Sequence, residues 1–190
     1  MTSTPPRLLG AVLCGGDSTR MGVCKSTLPH PSGQSFLVHA ARRLAAICDE
    51  VVLSGRTTQT TDYACIDDAR PKTGPVAGVA ACIAEAQRRD CDACMFTPVD
   101  MPDLQPSDLR RLYTAWLASP TKIVCACEAA TLKLQPLTAV IPVALRHSLE
   151  QLAESKDRSL YRWINAQPHT TVTFTTSTLR NVNTPADRRT

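Results

Sequence analysis

The run Leu13-Cys14-Gly15-Gly16-Asp17-Ser18-Thr19-Arg20-Met21-Gly22-Val23-Cys24-Lys25 is where potential chemistry is densest in this chain. Glycines let backbone N–H groups close on an anion, and Arg20 and Lys25 bring charge that neutralises phosphate. Two named phosphate loops are excluded. A Walker A loop would place glycine at positions 19 and 24, where Thr19 and Cys24 stand. A dinucleotide fingerprint would need G-x-G-x-x-G, which Gly15-Gly16 followed by Gly22 does not supply. The loop therefore reads as a phosphate cradle of another type. A second feature bears on it. In Thr97-Pro98-Val99-Asp100-Met101-Pro102 a carboxylate closes an apolar, strand-like run. Mg²⁺ prefers one or two carboxylates together with phosphate oxygens, so Asp100 is the candidate metal ligand, with a structural turn cap as the plainer alternative.

Such loops must be held by a scaffold. The chain alternates short apolar runs with segments of helical period, the pattern of a mostly parallel sheet with crossover helices. Strands are expected at Leu8–Leu13, Val51–Leu53, Tyr63–Ile66, Ala93–Val99, Ile123–Cys127, Leu132–Ile141 (bent at Pro136) and Thr171–Phe174. Helices are expected over Ser35–Cys48, Val76–Gln87, a segment capped by Ser107 and running to Leu117, Val143–Ala153 and Ser159–Asn165, with a short one after Pro185. The fold class is α/β, a doubly wound, Rossmann-like, mostly parallel sheet, with residues 1–190 forming one domain. Ligands on such sheets bind beyond the carboxyl ends of the strands, where both chemistry-bearing loops begin.

Bulk properties narrow the function. The 190 residues carry 21 Lys plus Arg against 17 Asp plus Glu, a net charge of +4, with only 4% aromatic residues. The charge is too weak and the rings too few for a nucleic-acid binder, whereas an anionic small substrate suits both. No stretch approaches the roughly 18 apolar residues of a membrane span. Residues Met1–Arg7 lack the marks of a signal peptide, so a cytoplasmic location is expected. Of nine cysteines, Cys14, Cys48, Cys65, Cys82, Cys94, Cys125 and Cys127 sit among apolar neighbours and read as reduced core residues. Cys91, Cys94, Cys125 and Cys127 could together offer four thiolates to zinc, but their strand-like settings favour buried thiols. His147 and His169 read as structural or surface residues, and His30 and His39 lack any partner at ligand spacing.

The resemblance to a known family is specific. Leu13-Cys14-Gly15-Gly16-x-Ser18-x-Arg20-Met21-Gly22-x-x-Lys25 resembles the L-A-G-G-x-S-x-R-M-G-x-x-K loop of the molybdenum cofactor guanylyltransferases, the MobA family of nucleotidyltransferases. Gly74-Pro75-Val76-Ala77-Gly78 is similar to its G-P-L-A-G, and Pro98-Val99-Asp100-Met101-Pro102 matches its P-x-D-x-P. Arg158 with Trp163 resembles its G-x-R-x-x-x-x-W stretch, and Asn181-Val182-Asn183-Thr184-Pro185 its closing N-x-N-T-P. The matches run in family order from residue 13 to 185.

The resemblance implies an Mg²⁺-dependent enzyme that transfers GMP from GTP to molybdopterin and releases pyrophosphate. It implies that Leu13, Cys14, Gly15, Gly16, Lys25, Asp68 and Asp100 face GTP, with Asp67 the alternative register for Asp68. Lys25, Arg20 and Asp100 would be the catalytic groups, Asp100 the metal ligand, and Arg158, Asn181 and Asn183 the molybdopterin side. Molybdoenzymes or other cofactor-biosynthesis proteins would be further partners; nucleic acid and membrane would not. The chain departs from the family at Cys14, where the family has alanine, and at Val52-Leu53-Ser54-Gly55-Arg56, where many members have I-N-A-N-R. Gly55 removes one side-chain contact to the nucleotide. A related transferase using CTP or another phosphorylated acceptor, and a non-catalytic nucleotide-binding adaptor, are the alternatives; intact Lys25 and Asp100 speak against the adaptor.

Overall fold

A computed structural model describes residues 5–14, 27–55, 57, 59–67 and 74–182. Seven strands form one sheet: β1 (Leu8–Leu13), β2 (Glu50–Ser54), β3 (Ala64–Ile66), β4 (Ala93–Pro98), β5 (Ile123–Glu128), β6 (Leu134–Pro142) and β7 (His169–Phe174). Their order is β3-β2-β1-β4-β6-β5-β7. All pairings are parallel except those of β6, which runs antiparallel to both β4 and β5. The reason is the connection. β5 and β6 are joined by residues 129–133 alone, which suffices for a hairpin but not for the crossover a parallel pair needs.

Helices cover both faces. α1 (Phe36–Ala45) and α3 (Pro106–Leu117) pack on one, and α2 (Pro75–Arg88), α4 (Arg146–Glu154) and α5 (Leu160–Ala166) on the other. The strands divide their side chains between the layers with period two: Leu8 and Val12 join the core under α1 and α3, Leu9, Ala11 and Leu13 the core under α2. Because both faces are buried, β1 and β4 are apolar at nearly every position, which is what made them legible as continuous runs. α1 starts where Ser35 Oγ accepts from the Val38 N–H at 3.3 Å. α3 differs from expectation. Its N-cap is Gln105, whose N–H donates to the Asp108 carboxylate at 3.0 Å, and Ser107 lies inside the first turn. Pro106, with φ already set for a helix and no N–H to satisfy, takes the first position and moves the boundary earlier.

Two further expectations are adjusted. The helix expected from Val143 begins as a 3₁₀ turn, Val143–Leu145, before α4 proper. The bend at Pro136 is a larger irregularity: Cys125 pairs with Ala139 but Ala126 with Gln135, so residues 136–138 have no counterpart on β5. The helix expected after Pro185 lies outside the described residues. At the amino end of the sheet, Arg7 and Arg89 both pair with Glu50, and Arg89 Nε reaches Glu85 at 2.6 Å. That end is closed by ion pairs, and the opposite end carries the motif loops.

Candidate active site

The strand order reverses at β1. From β1 the chain crosses to β2 on one side, and from β3 it returns to β4 on the other. Ligand crevices in sheets of this kind open at such a reversal, beside the loops that leave the carboxyl ends of β1 and β4. These are the two loops that carry the phosphate-cradle and P-x-D-x-P motifs. They start side by side: Leu13 is the register partner of Pro98, and the Val99 N–H donates to the Leu13 carbonyl at 3.3 Å. On the other flank the Cys14 N–H donates to Ser54 at 2.9 Å, and the Gly55 N–H to Ile66 at 2.9 Å. The carboxyl ends of four adjacent strands are thus stitched into one rim.

Asp100 stands one residue past this rim, partly exposed, on the turn that follows β4. Val99, Met101 and Leu104 are buried around it and anchor the turn. The carboxyl-terminal motif is brought to the same place: the N–H of Val182, which lies between Asn181 and Asn183 in the chain, donates to the Asp100 carbonyl at 2.8 Å. Val182 itself is 2% exposed and belongs to the core under α1 and α3, whereas Asn181 is exposed. Beside them lies an open depression of about 500 Å³ lined by Asp103, Ser177, Thr178 and Arg180, with Arg180 Nε on the Asp103 carboxylate at 2.9 Å. Two motifs some 80 positions apart in sequence therefore meet at one turn.

Arg158 lies in the turn between α4 and α5. The chain leaves β6 at the amino end, where the Val143 N–H meets the Asp92 carbonyl, and re-enters β7 at that same end, where Ile123 N–H meets Pro168. Two helices join those points, so the turn between them faces the carboxyl end. Arg158 is exposed there, its Nε donating to the Ser155 carbonyl at 3.1 Å. Trp163 is a packing residue: it is 7% exposed, and its indole N–H donates to Ser148 Oγ at 2.9 Å, tying α5 to α4. Gly15, Gly16, Arg20, Lys25, Asp68 and Asn183 lie outside the described residues. Leu13, Cys14, Asp100, Arg158, Asn181 and the alternative Asp67 are described.

Gly55 has a local explanation. Its φ is +93°, a conformation that residues with a Cβ rarely adopt, so the turn after β2 requires glycine in this chain. The cysteines divide. Cys48, Cys82, Cys91, Cys94, Cys125 and Cys127 are buried, and burial pushes the Cys94 thiol up and that of Cys125 up to about 12, the opposite of what a metal ligand or nucleophile needs. Cys94 on β4 is separated from Cys125 and Cys127 on β5 by the whole of β6. Cys65, expected in the core, is exposed, because β3 is a three-residue edge strand, and Cys14 is only partly buried. His30 and His39 stack on each other, with ring centroids 3.7 Å apart.

One residue that the sequence reading passed over stands out. Arg43, on the buried face of α1, is 3% exposed, and its Nη1 donates to the carbonyls of Met101 (2.7 Å), Pro102 (3.3 Å) and Leu104 (2.6 Å). Burial lowers its pKa to about 10, with Asp103 and Asp108 opposing, so it stays charged. The only sequence signal for it was an arginine at an otherwise apolar helical position.

Residues 10–171 match the model of the MobA-like NTP transferase domain. The chain belongs to the MobA-like NTP transferase family. A family relative from Rhodopirellula baltica, named "Probable molybdenum cofactor guanylyltransferase", is 42% identical over 97% of this chain and 92% of its own length. A molybdenum cofactor guanylyltransferase from Shewanella putrefaciens is 23% identical, covering 97% and 96% of the two chains. The molybdopterin-guanine dinucleotide biosynthesis protein A of Archaeoglobus fulgidus superposes with a TM-score of 0.77 at 18% identity, over 95% of each chain, and shares the fold. In this MobA-like chain the family's glycine loop and acidic turn leave adjacent strands at the point where the sheet reverses.

Proposed function

We propose that this protein joins the GMP moiety of GTP to molybdopterin, forming the guanine dinucleotide and releasing pyrophosphate. The observation that carries the reading is the junction of the end of β1, the Asp100 turn and the Asn181-Val182 segment at one rim. It is supported by the relative from Rhodopirellula baltica, similar over nearly the whole chain. In the reaction a phosphate oxygen of molybdopterin attacks the α-phosphorus of GTP. The bond from that phosphorus to the β-phosphate oxygen breaks, and pyrophosphate carries the electron pair away. No protein nucleophile is required; the chain must position two anions and neutralise the charge that builds between them.

Lys25 would offset charge on the α-phosphate and the departing pyrophosphate, and Arg20 would support the loop or the phosphates. Backbone groups of Leu13, Gly15 and Gly16 would line the cradle, with Cys14 beside them and Asp68 toward the nucleoside. Asp100 would hold Mg²⁺: it offers the hard carboxylate oxygen this ion favours, at a partly exposed point beyond β4 and near the end of β1. When bound, the cation stabilises charge on the phosphate oxygens and orients the leaving group. Arg158, Asn181 and Asn183 would face the pterin. The product would pass, in the cytoplasm, to molybdoenzymes or other cofactor-biosynthesis proteins, with residues 1–190 acting as one unit. No helix among the described residues is long and apolar enough to cross a membrane.

The test is a triphosphate screen with molybdopterin as acceptor and Mg²⁺ present. Pyrophosphate release is expected from GTP, at least about tenfold faster than from CTP, a discrimination well within what a few base-edge contacts supply. Equal or faster release from CTP would overturn the guanine assignment, and binding without turnover of any triphosphate would overturn the enzymatic one.

A further inference from the structure

We infer that Arg43, two residues before the end of α1, is the positioning residue of the Asp100 turn: its guanidinium fixes the backbone that presents the Asp100 carboxylate at the carboxyl end of the sheet. What Asp100 holds rests on the proposed function; how Asp100 is held does not.

An arginine 3% exposed gives up the hydration of a full charge, a penalty of several kcal/mol that only good partners offset. A leucine at this point of a helix face would carry no such penalty. No carboxylate is hydrogen-bonded to Arg43 among the described residues, and its Nε and Nη2 have no partner there either. The Nη1 bonds to three carbonyls are what the buried charge secures. Those carbonyls belong to the turn immediately after Asp100, beyond the last residue of β4, where no strand ladder can satisfy them. Buried carbonyls without partners are costly, so a cationic donor from α1 serves in place of the missing ladder.

The consequence reaches Asp100 because its backbone is held from three sides. The residue before it is bonded to β1 through the Val99 N–H, its own carbonyl accepts from Val182, and the turn after it is pinned by Arg43. Removing the third tie lets the turn rotate about the first two, and the carboxylate swings with it. A merely structural arginine would affect stability alone. A positioning arginine also changes how tightly the Asp100 turn holds a divalent cation.

The experiment compares Arg43→Met and Arg43→Lys with the unaltered protein, using Asp100→Asn as reference. Three quantities are measured: Mn²⁺ affinity in the presence of GTP by electron paramagnetic resonance, the Mg²⁺ concentration for half-maximal pyrophosphate release, and hydrogen exchange of the peptide covering residues 98–105. Arg43→Met is expected to weaken Mn²⁺ binding and raise the half-activating Mg²⁺ concentration by about tenfold or more, the size typical of lost support behind a metal ligand. Exchange in residues 101–104 should speed up. Arg43→Lys keeps a charged donor on a shorter, less directional side chain, and should recover to about threefold of the unaltered values. A folded Arg43→Met protein with Mn²⁺ affinity within about twofold of the unaltered one overturns the inference. Should Arg43→Met fail to fold, the Arg43→Lys shift decides: no change in cation affinity or exchange overturns it. If the unaltered protein binds Mn²⁺ but turns over no triphosphate, the proposed function fails while weakened Mn²⁺ binding in Arg43→Met still upholds the positioning role. A protein that binds no Mn²⁺ with or without GTP sinks both.

Discussion

Asp100, the proposed metal ligand, has a backbone bonded to the carboxyl-terminal segment and, through its neighbour Val99, to the sheet. Replacing it with alanine leaves those backbone bonds intact, so Asp100→Ala should fold normally yet lose kcat on the order of a hundredfold or more, as expected when a carboxylate ligand to a catalytic metal goes. Circular dichroism beside pyrophosphate release checks both halves. Asn183 is proposed to serve the acceptor side. Asn183→Ala should therefore raise KM for molybdopterin by about tenfold while leaving KM for GTP unchanged, the split that separates acceptor contacts from nucleotide contacts. An equal rise in both constants would move Asn183 to the nucleotide side. At this scale the sequence was legible where a residue type is costly unless used, as with Asp100 before a proline turn. It was misleading for Cys65 and silent on the His30–His39 stack, because exposure at a sheet edge and stacking across nine positions are properties of the fold.

Among the elements, β1 and α1 form the closest fit. A Cβ built on Gly10 would meet Cys48 Sγ and Leu44 Cβ at 3.1 Å and Cys48 Cβ at 3.3 Å. Two of those atoms are fixed to the backbone of α1 and the turn after it, so they cannot swing aside. Gly10→Val is expected to cost about 1–3 kcal/mol as an overpacked core position. For a domain of this size that lowers Tm by roughly 2–4 °C per kcal/mol, read by thermal unfolding. An unchanged Tm would show that α1 can shift outward. The same contact sets the height of α1 over the sheet, and with it the reach of Arg43 to the Asp100 turn. α1 was read from sequence to within a residue at its start, where Ser35 is the cap, but three residues too long at its end, Ala45. The start of α3 was read too late, since Pro106 outweighed the more familiar Ser107.

The layer between α1 and the Asp100 turn makes the stability of the molecule sensitive to acid. His39 is lowered to about 4, first by burial, then by the Arg43 cation and by His30 stacked on it, while the Pro102 carbonyl works the other way. His30 is lowered as well, by burial and Arg43, with Pro102 and Asp103 opposing. The unfolded chain takes up these protons near the ordinary value of 6.5, and the folded chain does so only well below it. Between those limits the unfolded state binds more protons, so stability falls as pH falls from about 6.5 toward 4 and is unaffected by these groups above that window. Thermal unfolding at a series of pH values should show Tm declining through the window, with a shallower decline in His39→Gln. Equal slopes in the two proteins would remove the pair from the cause.

By itself the sequence determined the class of the fold, the order of its elements and the identity of the two motif loops. Those depend on local facts: apolar runs of strand length, helical period, glycines beside basic residues, and a carboxylate at the end of a buried run. It determined the family too, because the motifs are contiguous and lie in order along the chain. Only the tertiary structure decided that β6 runs against its neighbours and that β1 and β4 adjoin where the sheet reverses. The same holds for the bond of Val182 to Asp100 and for Arg43 beneath the turn that follows. Each is a contact between positions dozens of residues apart, set by which strand finds which edge and by what a buried backbone still needs as a hydrogen-bond partner. A reading of neighbours along the chain can name the donors and acceptors, but their pairing is settled by the sheet.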